Sequence, residues 1–316
     1  MESPPSMLFL GASGQTGGPF LTVFRREYPN IPITVFLRST ALDAAIEALG
    51  GVTIAHGDFS DLEAIEKLSS NHNIVLNCAT STNAPVTAAI LRGIRNTKTP
   101  KKPILHHLSG AGNFVDGSTS GTYVPQPRPW NDGNPDDVRN ITAALTPNGA
   151  CDELILKAAA AEGYVDAFFV CPGGIYGASA NHIGVAAGAA AALAPGVWVG
   201  WMMDSIATLG FSPYVGDGTA KALDTWDSCR PEDVYGHFYL CVDETVAAKD
   251  VASAFADVAY RVGTIPAPTV KPVPYEEAGT VAKYLAGNML LQDDNARSLG
   301  WKPKGPGLFE TLKQIK

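Results

Sequence analysis

Three glycines, Gly11, Gly14 and Gly17, stand three apart in the stretch GASGQTGG, directly after the apolar run Met7–Leu10 and at the start of a helical pattern. Glycine at these places allows a tight turn, a close approach of backbone to a pyrophosphate and close packing of helix on strand, with the phosphate resting on the helix N-terminus. Strand, spacing and position together point to dinucleotide binding, with Ser13, Gln15 and Thr16 in the same loop. About twenty residues beyond the last glycine, an NAD site carries an Asp or Glu for the ribose hydroxyls. This chain reads VFLRS there, with Arg38 and Ser39 in place of the acid. A guanidinium suits a 2′-phosphate, so the sequence favours NADP(H) over NAD.

Such a cradle needs a parallel sheet to hold it. Short β-rich runs at Met7–Leu10, Ile33–Leu37, Val52–His56, Ile74–Cys78 and Ile104–Leu108 alternate with helical patterns near Gly17–Tyr28, Ala41–Leu49, Leu62–Ser70 and Pro85–Thr97. Right-handed crossovers then give an α/β, Rossmann-type doubly wound parallel sheet, with the ligand crevice at the carboxyl ends of the strands. From Ser109 to about Asn148 the pattern dissolves into a stretch rich in Gly, Pro, Ser and Asn, and a loop that long is usually functional. A helix (about Ala150–Glu162) and a sixth strand (Ala167–Cys171) follow. The predicted division is a nucleotide-binding domain over 1–172 and a smaller, mainly substrate-binding C-terminal lobe over 173–316, with some return to the Rossmann core.

Composition narrows the ligand. Apolar residues make up 46% and charged residues 17%, and no low-complexity tract appears, which leaves little room for a long solvated linker. The net charge of −8 offers no basic stripe to nucleic acid or an anionic membrane, so a hydrophobic small molecule is the expected partner. The five cysteines, Cys78, Cys151, Cys171, Cys229 and Cys241, form no CxxC pair and lack a His at ligand spacing. They read as buried thiols in a reducing compartment, with no metal site. With no room for a signal or transit peptide before the first strand, the expected location is the cytoplasm, as a monomer or homodimer. Ile183–Met203 is free of charge and long enough for a bilayer. Its Ala/Gly content, Pro195 and missing basic flanks favour instead a packed helix followed by a turn, with Trp198, Trp201, Met202 and Met203 lining an apolar pocket.

A series of motifs runs through the chain in order: GASGQTGG, then GDFSD (Gly57–Asp61), NCAT after the fourth strand, HHLSG at the fifth, CPGGIYG (Cys171–Gly177) after the sixth, and ARSLGWKPKG near the end. In this order they resemble the extended and atypical short-chain dehydrogenase/reductases, closest to the NmrA-like and epimerase-like members, over nearly the whole chain. The resemblance implies that Asp58, with Phe59 beside it, contacts the adenine. It implies that Asn77, Cys78 and Ala79 run along the nicotinamide ribose, that Pro172 and Gly173 border the cofactor, and that Ser109 occupies the catalytic serine position.

Active members of that family pair Tyr and Lys as YxxxK on the helix after the fifth strand, where the Lys lowers the Tyr pKa and the phenol moves a proton. Here the helix reads NGACDELILKAAAAEG, with Glu153 four residues before Lys157 and no Tyr. Lys157 also lies closer to Pro172 than the family's lysine does, which puts the usual Lys position near Ala150 to Asp152. The dyad is therefore absent, and Glu153 with Lys157 reads as an ion pair on a solvated helix face. Three functions remain. One is an NADPH-dependent reductase of an imine, enone or ketone, with its proton from Tyr123, Asp132, Tyr176 or His182. Another is a redox-silent isomerase, dehydratase or cyclase using Asp132 and Glu153, enclosed by Trp130, Trp198 and Trp201. The third is an NmrA-like NADP sensor.

Overall fold

The computed structural model describes residues 5–98, 101–125, 128–139, 141, 148–177, 183, 186, 197–220 and 234–315. Seven parallel strands form its central sheet. These are β1 (Met7–Leu10), β2 (Ile33–Leu37), β3 (Val52–His56), β4 (Ile74–Asn77), β5 (Ile104–Leu108), β7 (Asp166–Pro172) and β9 (Phe238–Cys241), in the order β3-β2-β1-β4-β5-β7-β9. The order reverses at β1, so the crevice opens between the carboxyl ends of β1 and β4. This is the doubly wound Rossmann-type fold expected from the sequence.

Both faces of the sheet are covered. Leu8 and Leu10 point into one apolar cluster with Val75, Leu105, Phe169 and Phe238, while Met7 and Phe9 point into another with Ile33, Val35 and Leu37. That split is the two-residue period of a strand buried on both sides, worth about 1.5–3 kcal/mol per large side chain removed from water. Helices α1 (Gly17–Glu27), α2 (Asp43–Glu47), α3 (Leu62–Ser70) and α4 (Ala84–Arg95) supply the covering layers. Asp61 caps α3 by accepting from the Ala64 N–H at 3.0 Å, and Asn83 caps α4 through Val86 at 3.1 Å, so these two helices begin where their sequence signals lie.

The stretch after Ser109 is more ordered than its composition suggests. It contains a 3₁₀ turn (Ala111–Phe114), the two-residue strand β6 (Trp130–Asn131) and the short helix α5 (Pro135–Arg139). Strand β6 pairs in parallel with β11 (Leu291–Gln292), and Arg128 grips Asp137 with two 2.6 Å contacts. Strand β11 lies outside any local sequence window around β6. The predicted helix 150–162 is α-helical as α6 (Gly149–Leu156) and widens into a π turn over Lys157–Ala161.

A third apolar cluster gathers the helices Val197–Leu209 and Ala248–Arg261, with β8 (Ser212–Val215) paired to β10 (Val270–Val273). Strand β9 comes from the C-terminal half yet joins the main sheet beside β7. Among the described residues no helix is long and apolar enough to cross a membrane. Much of Ile183–Met203 lies outside them, and its end is the start of the Val197–Leu209 helix. Cys151 and Cys171 are buried, Cys78 and Cys241 half-buried, and all four are free thiols; Cys229 lies outside the described residues.

Candidate active site

At the carboxyl end of β1 the chain turns through Gly11 at φ 95°, a conformation that strains any side-chain-bearing residue. A Cβ on Gly11 would sit 2.5 Å from the Cys78 carbonyl carbon, and one on Gly17 would sit 2.0 Å from the Gly11 oxygen. Backbone therefore meets backbone at both places, tying the end of β4 and the start of α1 to a single turn, which the Gly14 N–H closes onto the Gly11 oxygen at 3.0 Å. Ser13 and Gly14 are exposed at its crest, and Gln15 and Thr16 are half-buried. Helix α1 starts with no side-chain cap and no acid in its first turn, so the positive end of its dipole faces the loop. The Gln15 amide donates to the Gly177 oxygen at 2.9 Å and joins this loop to the segment that leaves β7 at Pro172 and continues through Gly173. Gly17→Ala must displace backbone rather than a flexible side chain. It is expected to cost about 1–3 kcal/mol of stability and to abolish dinucleotide binding, measured by thermal unfolding and calorimetric titration.

Arg38 and Ser39 follow β2 and are exposed; Asp58 and Phe59 follow the neighbouring strand β3 and are also exposed. Hydrogen bonds from the Ser60 hydroxyl and N–H, with the Arg38 charge adding to them, hold the Asp58 carboxyl below its ordinary range. Ser39 accepts from the Ala41 N–H and caps the following turn. The cation and the acid thus share the outer end of the crevice.

Around the ends of β4 and β5 lies a buried polar cluster. Asn77 Oδ1 faces the N–H groups of Ala79 (3.2 Å) and Thr80 (3.4 Å), which turns its amide nitrogen toward the Thr80 oxygen at 2.9 Å and His107 Nδ1 at 3.1 Å. An amide nitrogen can only donate, so Nδ1 accepts and the neutral imidazole carries its hydrogen on Nε2. That Nε2 faces Asp152 Oδ1 at 3.4 Å, and neither atom has a closed hydrogen bond. Burial pushes His107 down to about 4 and Asp152 up to about 7, so near neutrality this contact is not an ion pair. On its other oxygen, Asp152 accepts from Ser109 Oγ at 2.6 Å and from the Asn113 amide. Asn113 also donates to Ser109 Oγ at 3.1 Å.

Asp152 and Asn148 stand four residues apart at the start of α6, the spacing sought in Glu153 and Lys157. The Ser81 hydroxyl donates to Asn148 at 2.8 Å, while Glu153 and Lys157 are both exposed. Sequence reasoning named Ser109 but missed Asp152, His107 and Asn113. One available signal was an acid beside Cys151 on the otherwise apolar face of Ile155 and Leu156. Another was a His two residues before Ser109, on the same side of the strand.

The other candidate proton donors lie elsewhere. Asp132 is fully buried, and its carboxylate accepts from the N–H groups of Leu240, Asn295 and Ala296. Tyr176 packs against the third apolar cluster, and burial, with Glu244 and Asp243 nearby, pushes its phenol up to about 12. Tyr123 sits in the turn that docks on β8, its N–H donating to Thr219 Oγ1 at 2.8 Å. His182 lies outside the described residues. The tryptophans do not form one wall. Trp130 packs beside Phe114 against the first cluster, while Trp198 and Trp201 pack against the third, with Trp198 Nε1 donating to the Ile175 oxygen.

No protein-family model matches the chain. A 106-residue stretch is 29% identical to the oxidase ucsJ of an Acremonium species; it covers 33% of this chain and 30% of that protein. Among solved structures, the terminal R domain of the myxalamid PKS-NRPS pathway superposes over 100% of this chain and 90% of its own, with TM-score 0.60 and 16% identity. The dTDP-glucose 4,6-dehydratase DesIV of Streptomyces venezuelae, with NAD bound, covers 97% and 95% at TM-score 0.59 and 15% identity. The UDP-glucuronic acid 4-epimerase of Bacillus cereus, also with NAD, covers 98% and 97% at 0.55 and 14%. The chain therefore shares its Rossmann-type fold with these reductase-domain, dehydratase and epimerase structures.

Proposed function

We propose that this chain is a nicotinamide-dinucleotide oxidoreductase that prefers NADP(H) and reduces a hydrophobic small molecule, an enone, imine or ketone. The observation that carries this reading is the backbone-to-backbone closure at Gly11 and Gly17, which leaves an uncapped helix N-terminus at the crevice with Arg38 at its outer end. Anionic phosphates suit the helix terminus, a 2′-phosphate suits the guanidinium, and Asn77 to Ala79 border the ribose beyond the switch point. Bound there, the nicotinamide supplies or accepts hydride. The chain's own part would be to hold that group along the carboxyl ends of β1 and β4, to exclude water and to present a proton from Ser109 at the end of β5.

A second, redox-neutral reading, isomerisation or dehydration, draws on one observation: a buried acid, Asp152, stands directly behind the Ser109 hydroxyl. Calorimetric titration with NADPH and NADH tests the first reading. NADPH is expected to bind more tightly, and Arg38→Ala is expected to weaken NADPH by about tenfold or more while leaving NADH nearly unchanged. Equal loss for both, or binding of neither, defeats the NADP(H) assignment. Consumption of NADPH with enones, imines or ketones then separates hydride transfer from redox-neutral chemistry.

A further inference from the structure

We propose that Asp152 exchanges a proton with Ser109, so that the hydroxyl at the end of β5 is backed by a carboxyl group on α6. This rests on reading the crevice as an enzyme site and identifies the positioning residue behind its serine.

The direction of the hydroxyl follows from its partners. Asn113 Nδ2 can only donate, and it donates to Ser109 Oγ at 3.1 Å; of the two acceptors in reach of the serine hydrogen, the Cys171 sulfur and Asp152 Oδ2, the carboxyl oxygen at 2.6 Å is the stronger and takes it. Ser109 is 6% exposed and Asp152 0%, so the acid reaches a ligand through the serine. The groups facing Asp152 are His107 and Ser109 from the β5 end, Asn113 from the 3₁₀ turn and Cys171 from β7, with Cys151 beside it on α6. None of these carries a positive charge near neutral pH, since burial keeps His107 neutral and both thiols protonated. Donors alone therefore stabilise the ionised carboxylate, and burial opposes them; the balance lies where a proton can move in either direction. The His107 Nε2–H, unsatisfied at 3.4 Å from Oδ1, can close onto that oxygen as charge develops.

In the forward direction Asp152 is protonated and its proton faces Oγ, the Ser109 hydroxyl turns toward the substrate and gives up its proton there, and the Asp152 carboxyl proton replaces it on Oγ. Asp152 is left as a carboxylate, and a proton from water restores the acid. In reverse, Ser109 takes a substrate proton while its own moves to the Asp152 carboxylate.

The test uses the full chain without dinucleotide and p-nitrophenyl acetate as probe. Ser109 Oγ attacks the ester carbonyl, the bond to p-nitrophenolate breaks, and the serine proton passes to Asp152. Mass spectrometry is expected to find the acetyl group on Ser109, with a rate that rises through a near-neutral midpoint to a plateau. Asp152→Asn is expected to slow acylation about a hundredfold, Ser109→Ala to abolish it, and Ser109→Thr to retain it in part. A rate that climbs with hydroxide without a plateau, an unmodified Ser109, or an equal rate in Asp152→Asn overturns the proposal. The wild-type profile decides should the asparagine variant not fold. Because the assay contains no cofactor, its failure leaves NADPH binding standing, and failure of NADPH binding leaves the acylation result standing.

Discussion

Asp132→Ala is expected to remove roughly 3–9 kcal/mol of stability, because it leaves three buried N–H groups without an acceptor at about 1–3 kcal/mol each. A typical domain has about 5–15 kcal/mol in all, so the variant is expected to unfold or to populate a partly folded form at room temperature. The three donors belong to different parts of the chain: Leu240 to β9 at the sheet edge, Asn295 and Ala296 to the helix Asp294–Ser298. Asn295 returns the contact, its amide reaching the oxygens of Asp132, Gly236 and Phe238 at 2.7–3.1 Å. Asp132 thus fastens the helix Asp294–Ser298 to the edge strand β9. Urea denaturation checks the claim; a loss under about 1 kcal/mol would falsify it. Asp132→Asn, which keeps one acceptor oxygen, is expected to lose less than the alanine variant.

The same residue marks what the sequence could and could not convey. Strands β1 to β5 and helices α1, α3 and α4 fall close to their expected bounds, since each announces itself locally through apolar runs, glycine turns and the capping residues Asp61 and Asn83. Asp132 follows a Trp–Asn pair in a Pro-rich stretch, and from composition it reads more readily as a turn residue than as a proton donor. Its partners lie more than 100 positions away in sequence, at Leu240 and Asn295, and no local pattern brings them together. The pairings of β6 with β11 and of β8 with β10 were hidden for the same reason. At the site, the glycine loop was legible because its spacing is the geometry. Asp152 was less so: its place on the apolar face of Ile155 and Leu156 was a local signal, but the residues that give it a role, Ser109, Asn113 and His107, close around it only in the fold.

Replacing Asp152 with Asn is expected to change how stability depends on pH, and the sign follows from burial. Asp152 rises from an ordinary 3.8 to about 7 on folding, so between these values the folded chain holds a proton that the unfolded chain has released. Its contribution is fully present below about pH 4 and is lost as pH rises through about 7. A shift of that size corresponds to about 4 kcal/mol, with no discount for solvent screening, because the carboxyl has no exposed surface. Wild-type stability alone would blur the effect. Burial of Asp132 acts in the same direction, while His72, His106 and His107, all lowered by burial, act in the opposite one. Those groups are present in both proteins, and their contributions cancel in the difference. The wild-type advantage over Asp152→Asn should therefore shrink by about 4 kcal/mol between pH 4 and pH 8, as measured by urea denaturation at each pH. A difference that stays flat would mean that the Ser109, Asn113 and His107 donors already hold Asp152 ionised at acidic pH. Such a carboxylate could not return a proton to Ser109 near neutrality, and the stability curve would then count against the chemistry as directly as the acylation assay.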